Sequence, residues 1–219
     1  MIKVGIVDDH LLFRKSMSLL IDSFENIKTV LVAENGKVFL EKIIDNPIDV
    51  VLLDIQMPVM NGYQTCEKIL ELYPDVKILI VSQLSTKESI HKVIELGAHG
   101  YFTKNSDPEQ LENAIRSIND RGFYFGIELG LVIKEAMLWD KNNPQDIEKE
   151  NNIFSDRELQ IIKMICKEKK SKEIAELLFI NVRTVDSHRK NIMDKSNTKN
   201  FIGVILYALK NNLIEIEEI

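Results

Sequence analysis

The stretch that most constrains this chain is Val50-Val51-Leu52-Leu53-Asp54-Ile55-Gln56-Met57-Pro58-Val59-Met60-Asn61-Gly62. Four apolar residues lead straight into one carboxylate. An uninterrupted apolar run of this length reads as a strand buried on both faces, the habit of a parallel sheet. Asp54 then stands at the carboxyl end of that strand. Met57-Pro58 and Asn61-Gly62 turn the chain, and Asn61 is a good helix N-cap. Open α/β sheets bind ligands at the carboxyl ends of their strands. Asp54 is therefore a candidate nucleophile or metal ligand, and a loop aspartate capping the next turn is the plainer alternative.

The segments around this strand repeat one alternation. Lys3–Val7, Lys28–Ala33, Val76–Val81 and Gly100–Phe102 read as further strands. Apolar residues at the helical period mark helices from His10 to about Ser23, around Val38–Ile44 up to Pro47, and from Asn61 to Leu72. A fourth helix is expected to start at a capping box of Ser85 and Glu88 and to stop at Gly97. A fifth starts at Asp107-Pro108, with proline in its tolerated first position, and runs to Gly122. Five strands alternating with five helices predict an α/β doubly wound five-stranded parallel sheet in the order 2-1-3-4-5. That order brings Asp8-Asp9 and Asp54 into one crevice. Ser82 and Lys104 end the next two strands and line the same edge.

This set has a chemical logic. Three clustered carboxylates repel one another unless a cation sits among them, and hard oxygen ligands suit Mg²⁺. A carboxylate can attack a phosphoryl group, and a lysine and a metal can neutralise the transferring oxygens. A serine hydroxyl can donate to one of those oxygens. Asp8-Asp9, Asp54 with Met57-Pro58 and Gly62, Ser82, and Tyr101 three before Lys104 resemble a response-regulator receiver domain, of flavodoxin-like fold. The resemblance covers residues 1–122. It implies that Asp54 is the phosphoacceptor and that Asp9, Asp54 and the backbone carbonyl of Gln56 bind Mg²⁺, with Asp8 acting through a metal-bound water. Ser82 is then the switch hydroxyl, and Tyr101 is the switch aromatic that turns inward on phosphorylation. Many receivers have a cis proline after the lysine. Asn105 stands there, and a cis bond before a non-proline residue is costly, so the sequence leaves that bond open.

With 219 residues the chain has room for a second domain. Residues 1–150 carry 16 basic and 24 acidic side chains, whereas residues 151–219 carry 12 and 10, so the two parts suit different partners. Leu129, Val132, Ile133, Ala136 and Trp139 fit a short amphipathic helix, and the polar run Asp140–Asn152 reads as a flexible linker. Residues 123–152 are thus expected to be a linker with a short helix. Cys66 and Cys166 fall in different parts, so no disulfide and a reducing compartment are expected. The acidic start lacks signal-peptide character, and no apolar run is long enough to cross a bilayer. These features place the protein in the cytoplasm, with no membrane partner.

Residues 153–219 read as a small all-α domain. Ser155 and Glu158 form a capping box, with Phe154 and Leu159 at hydrophobic-staple spacing. Leu159, Ile162, Ile165 and Cys166 form the apolar stripe that follows. Ser171 is expected to cap a short helix. Phe179-Ile180 turn, and Asn181 caps a third helix from Val182 to about Lys195. A last helix, near Asn200–Asn211, shows Ile202, Ile205, Leu206 and Leu209 on one face, with Val204 and Tyr207 elsewhere. A short helix, a tight turn and a polar second helix describe a helix-turn-helix. Phe154-Ser-Asp-Arg-Glu158, Ser171-Lys-Glu-Ile-Ala175 and Arg183-Thr-Val-Asp-Ser-His-Arg-Lys-Asn-Ile192 resemble the LuxR-type DNA-binding domain. With the receiver, the whole chain is similar to the NarL/FixJ class of response regulators.

That resemblance implies a two-component transcription regulator that is not an enzyme. A histidine kinase phosphorylates Asp54, and this controls dimerisation and binding to double-stranded DNA. Asp186, Ser187 and Lys190 then face base edges, while Lys172, Arg183, Thr184 and Arg189 hold phosphates. The class often has lysine where Asp186 stands. An acid cannot pair with a phosphate and favours a donor such as cytosine N4, so the usual base preference does not carry over. The four histidines, His10, His91, His99 and His188, show no metal-ligand spacing. An aspartate-nucleophile phosphatase would carry a second acid two residues after the nucleophile. Gln56 occupies that place, which argues against turnover of an external substrate.

Overall fold

The computed structural model describes residues 1–83, 86–124, 126, 130 and 153–215. The chain divides into two compact units, 1–129 and 130–219. Ser85, most of the expected short helix and the polar run to Asn152 lie outside the described residues. No helix among the described residues is long and apolar enough to cross a membrane.

In the first unit the strands are β1 (Ile2–Val7), β2 (Ile27–Ala33), β3 (Val50–Leu53), β4 (Lys77–Ser82) and β5 (Gly100–Thr103). They form one parallel sheet in the order β2-β1-β3-β4-β5. The helices are α1 (Leu11–Ser23), α2 (Gly36–Lys42), α3 (Gly62–Leu72), α4 (Lys87–Leu96) and α5 (Pro108–Arg121). Side chains alternate across the sheet, so Val50 and Leu52 join a core with Met17 and Ile21 of α1 and Leu111, Ala114, Ile115 and Ile118 of α5. All four residues of β3 are buried, as a strand covered on both faces requires.

Local chemistry sets the helix ends. Asn61 caps α3 in a reciprocal box with Gln64, and Asn35 caps α2. Asp107 and Pro108 open α5, while Gly97 and Gly122 close α4 and α5 in left-handed conformations. The start of α4 differs from expectation. Thr86, one residue later than Ser85, caps it through Ser89 N. Both residues can cap, so composition could not decide between neighbours.

His99 is buried just ahead of β5, and its Nδ1 accepts a hydrogen bond from Ile78 N at 3.1 Å. Burial, helped by nearby Lys77, pushes its pKa down to about 3 from an ordinary 6.5. The unfolded chain therefore binds the proton first, and stability falls as pH drops from 6.5 towards 3. Urea unfolding followed by circular dichroism should show a loss of about 1.4 kcal/mol per pH unit from this group. His99→Gln should remove that slope.

In the second unit the helices are α6 (Asp156–Cys166), α7 (Ser171–Leu177), α8 (Val182–Lys195) and α9 (Phe201–Lys210). Their core includes Ile161, Ile162, Ile165, Ile174, Val185, Ile192, Ile202, Val204 and Ile205. Val204 is thus a core residue, whereas Leu206 is only half-buried, which corrects the expected face of the last helix. Phe201 and Ala208 widen the buried face beyond a narrow stripe. Tyr207 meets Phe154 edge to face, with ring centroids 5.9 Å apart. Ser171 is the first residue of α7 rather than its cap. Lys170 N instead donates to the Glu173 carboxylate at 2.7 Å.

Glu158 closes the capping box with Ser155, and its Oε2 accepts from Lys195 Nζ at 2.7 Å. Burial works against its charge, but the Lys195 and Ser155 donors outweigh burial and hold its pKa below the ordinary value. We expect Glu158→Ala to cost the second unit about 1–2 kcal/mol in denaturant unfolding, chiefly through the cap. Lys195 is 42% exposed, so solvent screening leaves the ion pair the smaller share.

Candidate functional site

β1 and β3 are neighbours, with Val7 paired to Leu53. The next residue of each strand is therefore a carboxylate at the same edge, Asp8 beside Asp54. Asp54 N donates to Val7 O at 2.9 Å, and Asp8 N to Ala33 O at 3.1 Å, so the sheet's own hydrogen bonds carry both aspartates. Both are buried. Lys104 comes from the end of β5 and places Nζ 2.6 Å from Asp8 Oδ2 and 2.7 Å from Asp54 Oδ2. Its ammonium also lies over the Phe13 ring, 4.6 Å from the centroid. The Lys104–Asn105 bond is trans, as no cis bond occurs among the described residues.

Burial pushes the Asp54 carboxyl up, and Asp8 adds to this, while Lys104 and the Ile55 N–H donor work against it; the pKa ends above the ordinary carboxylate value. For Lys104, burial disfavours the charged form, but the bonds to Asp54 and Asp8 outweigh it and raise the pKa. The clasp is thus an ammonium shared by two buried carboxylates.

Asp9 is more exposed and adds a third carboxylate. Its Oδ1 lies 2.9 Å from His10 Nδ1. Ligand atoms of Asp8, Asp9, His10 and Asp54 all fall within 4.8 Å of one another. His10, set aside for lack of ligand spacing, therefore joins the cluster; its adjacency to Asp8-Asp9 was the available signal. Lys104 neutralises only one of the three carboxylates, and the negative charge left over suits a divalent cation. Beside it opens a cleft of about 480 Å³ lined by Asp9, Ile55, Gln56, Met57, Asn61 and Tyr63.

Gly62 lets α3 come this close. A Cβ there would sit 2.1 Å from Asp54 O and 2.7 Å from Ile55 Cα, and backbone atoms cannot move aside as a flexible side chain can. Gly62 N donates to Ile55 O at 2.9 Å. Ser82 is buried at the end of β4, where its carbonyl accepts from Lys104 N at 2.9 Å. Tyr101 on β5 is fully buried.

In the second unit α7, a turn and α8 form the helix-turn-helix. Phe179 sits in the turn at φ 54° and is 96% exposed. Arg157 Nη2 of α6 donates to Leu178 O at 2.8 Å and braces the turn. Asn181 caps α8 through Arg183 N. Val185 and Ile192 anchor α8 in the core, leaving Arg183, Thr184, Asp186, Ser187 and Lys190 exposed, as is Lys172 on α7. Arg189 is placed differently from these. It is half-buried, lies 4.6 Å from the Phe201 ring centroid and donates to Ser171 Oγ.

A family model described as the response regulator receiver domain matches residues 4–116. A second, for bacterial regulatory proteins of the luxR family, matches residues 152–208. The chain is 34% identical to the oxygen regulatory protein NreC of Staphylococcus epidermidis, over 97% of this chain and 99% of that one. NreC of Staphylococcus carnosus matches with the same identity and coverage. Among solved structures, the response regulator ChrA of a heme-sensing two-component system aligns over 97% of this chain and 98% of its own, at 28% identity and a TM-score of 0.51.

Removing the clasp should expose the repulsion it offsets. Lys104→Met should cost about 3 kcal/mol of stability near neutral pH, as buried pairs do when one partner is lost. Asp54, whose carboxyl Lys104 holds down against burial, would then take up a proton more readily, so the deficit should shrink on acidification. Urea unfolding of both proteins at pH 7 and pH 5 checks this.

Family, sequence relatives and fold agree over both units: the chain belongs to the response regulators that join a receiver domain to a LuxR-type DNA-binding domain.

Proposed function

We propose that phosphorylation of Asp54 by a histidine kinase controls dimerisation and DNA binding by this protein, and so regulates transcription. The observation that carries the reading is the Lys104 ammonium held between buried Asp54 and Asp8. An Asp54 oxygen bonds to phosphorus as the donor's phosphorus–nitrogen bond breaks. Asp9, Asp54 and the Gln56 carbonyl would hold Mg²⁺, with Asp8 contributing through a water. When bound, Mg²⁺ neutralises charge on the phosphoryl oxygens. Lys104 moves from sharing two carboxylates to pairing with a phosphoryl oxygen, and Ser82 donates to another. Tyr101, packed beneath the β4–β5 edge, registers the change for the face of α4, β5 and α5.

In this reading residues 1–122 are the receiver, 123–152 a linker with a short helix, and 153–219 the DNA-binding domain. Lys172, Arg183 and Thr184 hold phosphates, Asp186, Ser187 and Lys190 face bases, and Arg189 supports them from within. The exposure of all but Arg189 along α7 and α8 supports this assignment. The protein acts in the cytoplasm, where kinase domains and DNA are both available. A phosphorylation-independent DNA binder is disfavoured by the complete acidic set beside Lys104.

Labelling with a small-molecule phosphodonor tests the acceptor. The wild-type protein should take up one phosphoryl group in Mg²⁺ and almost none after chelation, and Asp54→Asn should take up none. Equal labelling of wild type and variant would refute the assignment.

A further inference from the structure

A directed chain of hydrogen bonds joins α8 to α7. Arg189 Nη1 lies 3.3 Å from Ser171 Oγ, and Ser171 Oγ lies 3.0 Å from Asp186 Oδ1. A guanidinium can only donate, and an ionised carboxylate can only accept. The Ser171 hydroxyl therefore accepts from Arg189 and gives its own proton to Asp186. Both ends of the chain are held. Arg189 packs over the ring of Phe201, a buried residue. Ser171 opens α7, whose first turn is fixed by Lys170 N bonding to Glu173.

Asp186 is the fifth residue of α8 and is exposed. It shares a face with Arg183, three residues before, and Lys190, four after. Val185 and Ile192 are buried. The second helix of a helix-turn-helix lies in the major groove and contacts bases with its N-terminal part. Asp186 is therefore carried towards base edges on an otherwise basic face. Its Oδ2 makes no hydrogen bond among the described residues. That oxygen is repelled by phosphates and can meet only a donor. In the major groove guanine offers N7 and O6 acceptors, and thymine offers O4 and a methyl group. Adenine offers its N6 donor beside the N7 acceptor, whereas cytosine offers the N4 donor without one.

We propose that Arg189, Ser171 and Asp186 act as one unit that selects cytosine at a fixed position of each DNA half-site. The inference rests on the DNA-binding reading and deepens it. Asp186 touches the base. Ser171 and Arg189 are positioning residues that reach the base only through Asp186. Their contribution is to hold one carboxylate oxygen and leave the second unbonded on an exposed side chain, so that little side-chain freedom is lost on binding.

Selection from a randomised duplex pool, with the full chain activated by beryllofluoride, tests this. The wild-type motif should contain a cytosine, repeated symmetrically, preferred about tenfold or more over the other bases, as one good side-chain–base pair supplies. Asp186→Ala should flatten the preference at that position alone. Asp186→Asn, nearly isosteric, should move it towards adenine, the base that a side-chain amide pairs with. Ser171→Ala should relax it severalfold without changing the other positions, a pattern that general loosening of the fold would not produce. Circular dichroism of each variant confirms folding. A motif unchanged in Asp186→Ala overturns the proposal. A motif relaxed in Asp186→Ala but unchanged in Ser171→Ala overturns the coupled unit. If the wild type enriches no duplex, the DNA-binding reading fails, and the inference fails with it.

Discussion

Everything at the receiver's working edge depends on one ammonium serving two buried carboxylates. Two like charges about 4 Å apart repel by about 4 kcal/mol at the effective dielectric of a protein surface. Burial makes this worse, because each carboxylate has also lost water. Lys104 offsets both effects, but it brings only one charge to a set that includes Asp9. The pocket is therefore stable yet short of positive charge. That shortage suits a divalent cation at the acidic cluster. The sheet order makes the arrangement possible, since only adjacency of β1 and β3 sets Asp8 beside Asp54.

The scaffold around the clasp is rigid where it must be. Asp8 and Asp54 hang from backbone hydrogen bonds to β2 and β1. Gly62 allows the backbone of α3 to approach Asp54 more closely than any side chain would permit. Ser82 and Tyr101 are buried within the same β4–β5 edge that presents Lys104. Under the proposed function, a change in the partner of Lys104 would therefore meet packed groups at this edge.

Much of this was legible in the sequence. The run Val50–Leu53 read as a doubly covered strand, and its alternation with helical periods pointed to the topology and hence to the meeting of Asp8, Asp9, Asp54 and Lys104. What was not legible turned on choices between equivalent neighbours or on contacts between distant helices. Ser85 and Thr86 cap helices about equally well, and the structure uses Thr86. Ser171 looked like a cap, but Asp186 and Arg189, fifteen and eighteen residues away, claim its hydroxyl. Arg189 looked like a surface cation, and only the position of Phe201 shows why it is half-buried. Val204 lay off the expected stripe because α9 buries more than one face. His10 carried no spacing signal, and its place in the acidic cluster follows from adjacency alone.

The central claim is that the state of the Asp54 pocket sets the affinity of a helix-turn-helix elsewhere in the same chain. Coupling of this kind is ordinarily a fewfold to about a hundredfold in affinity. The direct measurement is the dissociation constant of the full chain for its selected duplex, with and without beryllofluoride, at one fixed salt concentration because phosphate contacts make affinity salt-dependent. The account predicts binding at least about fivefold tighter with beryllofluoride. Equal affinity in the two states would contradict it.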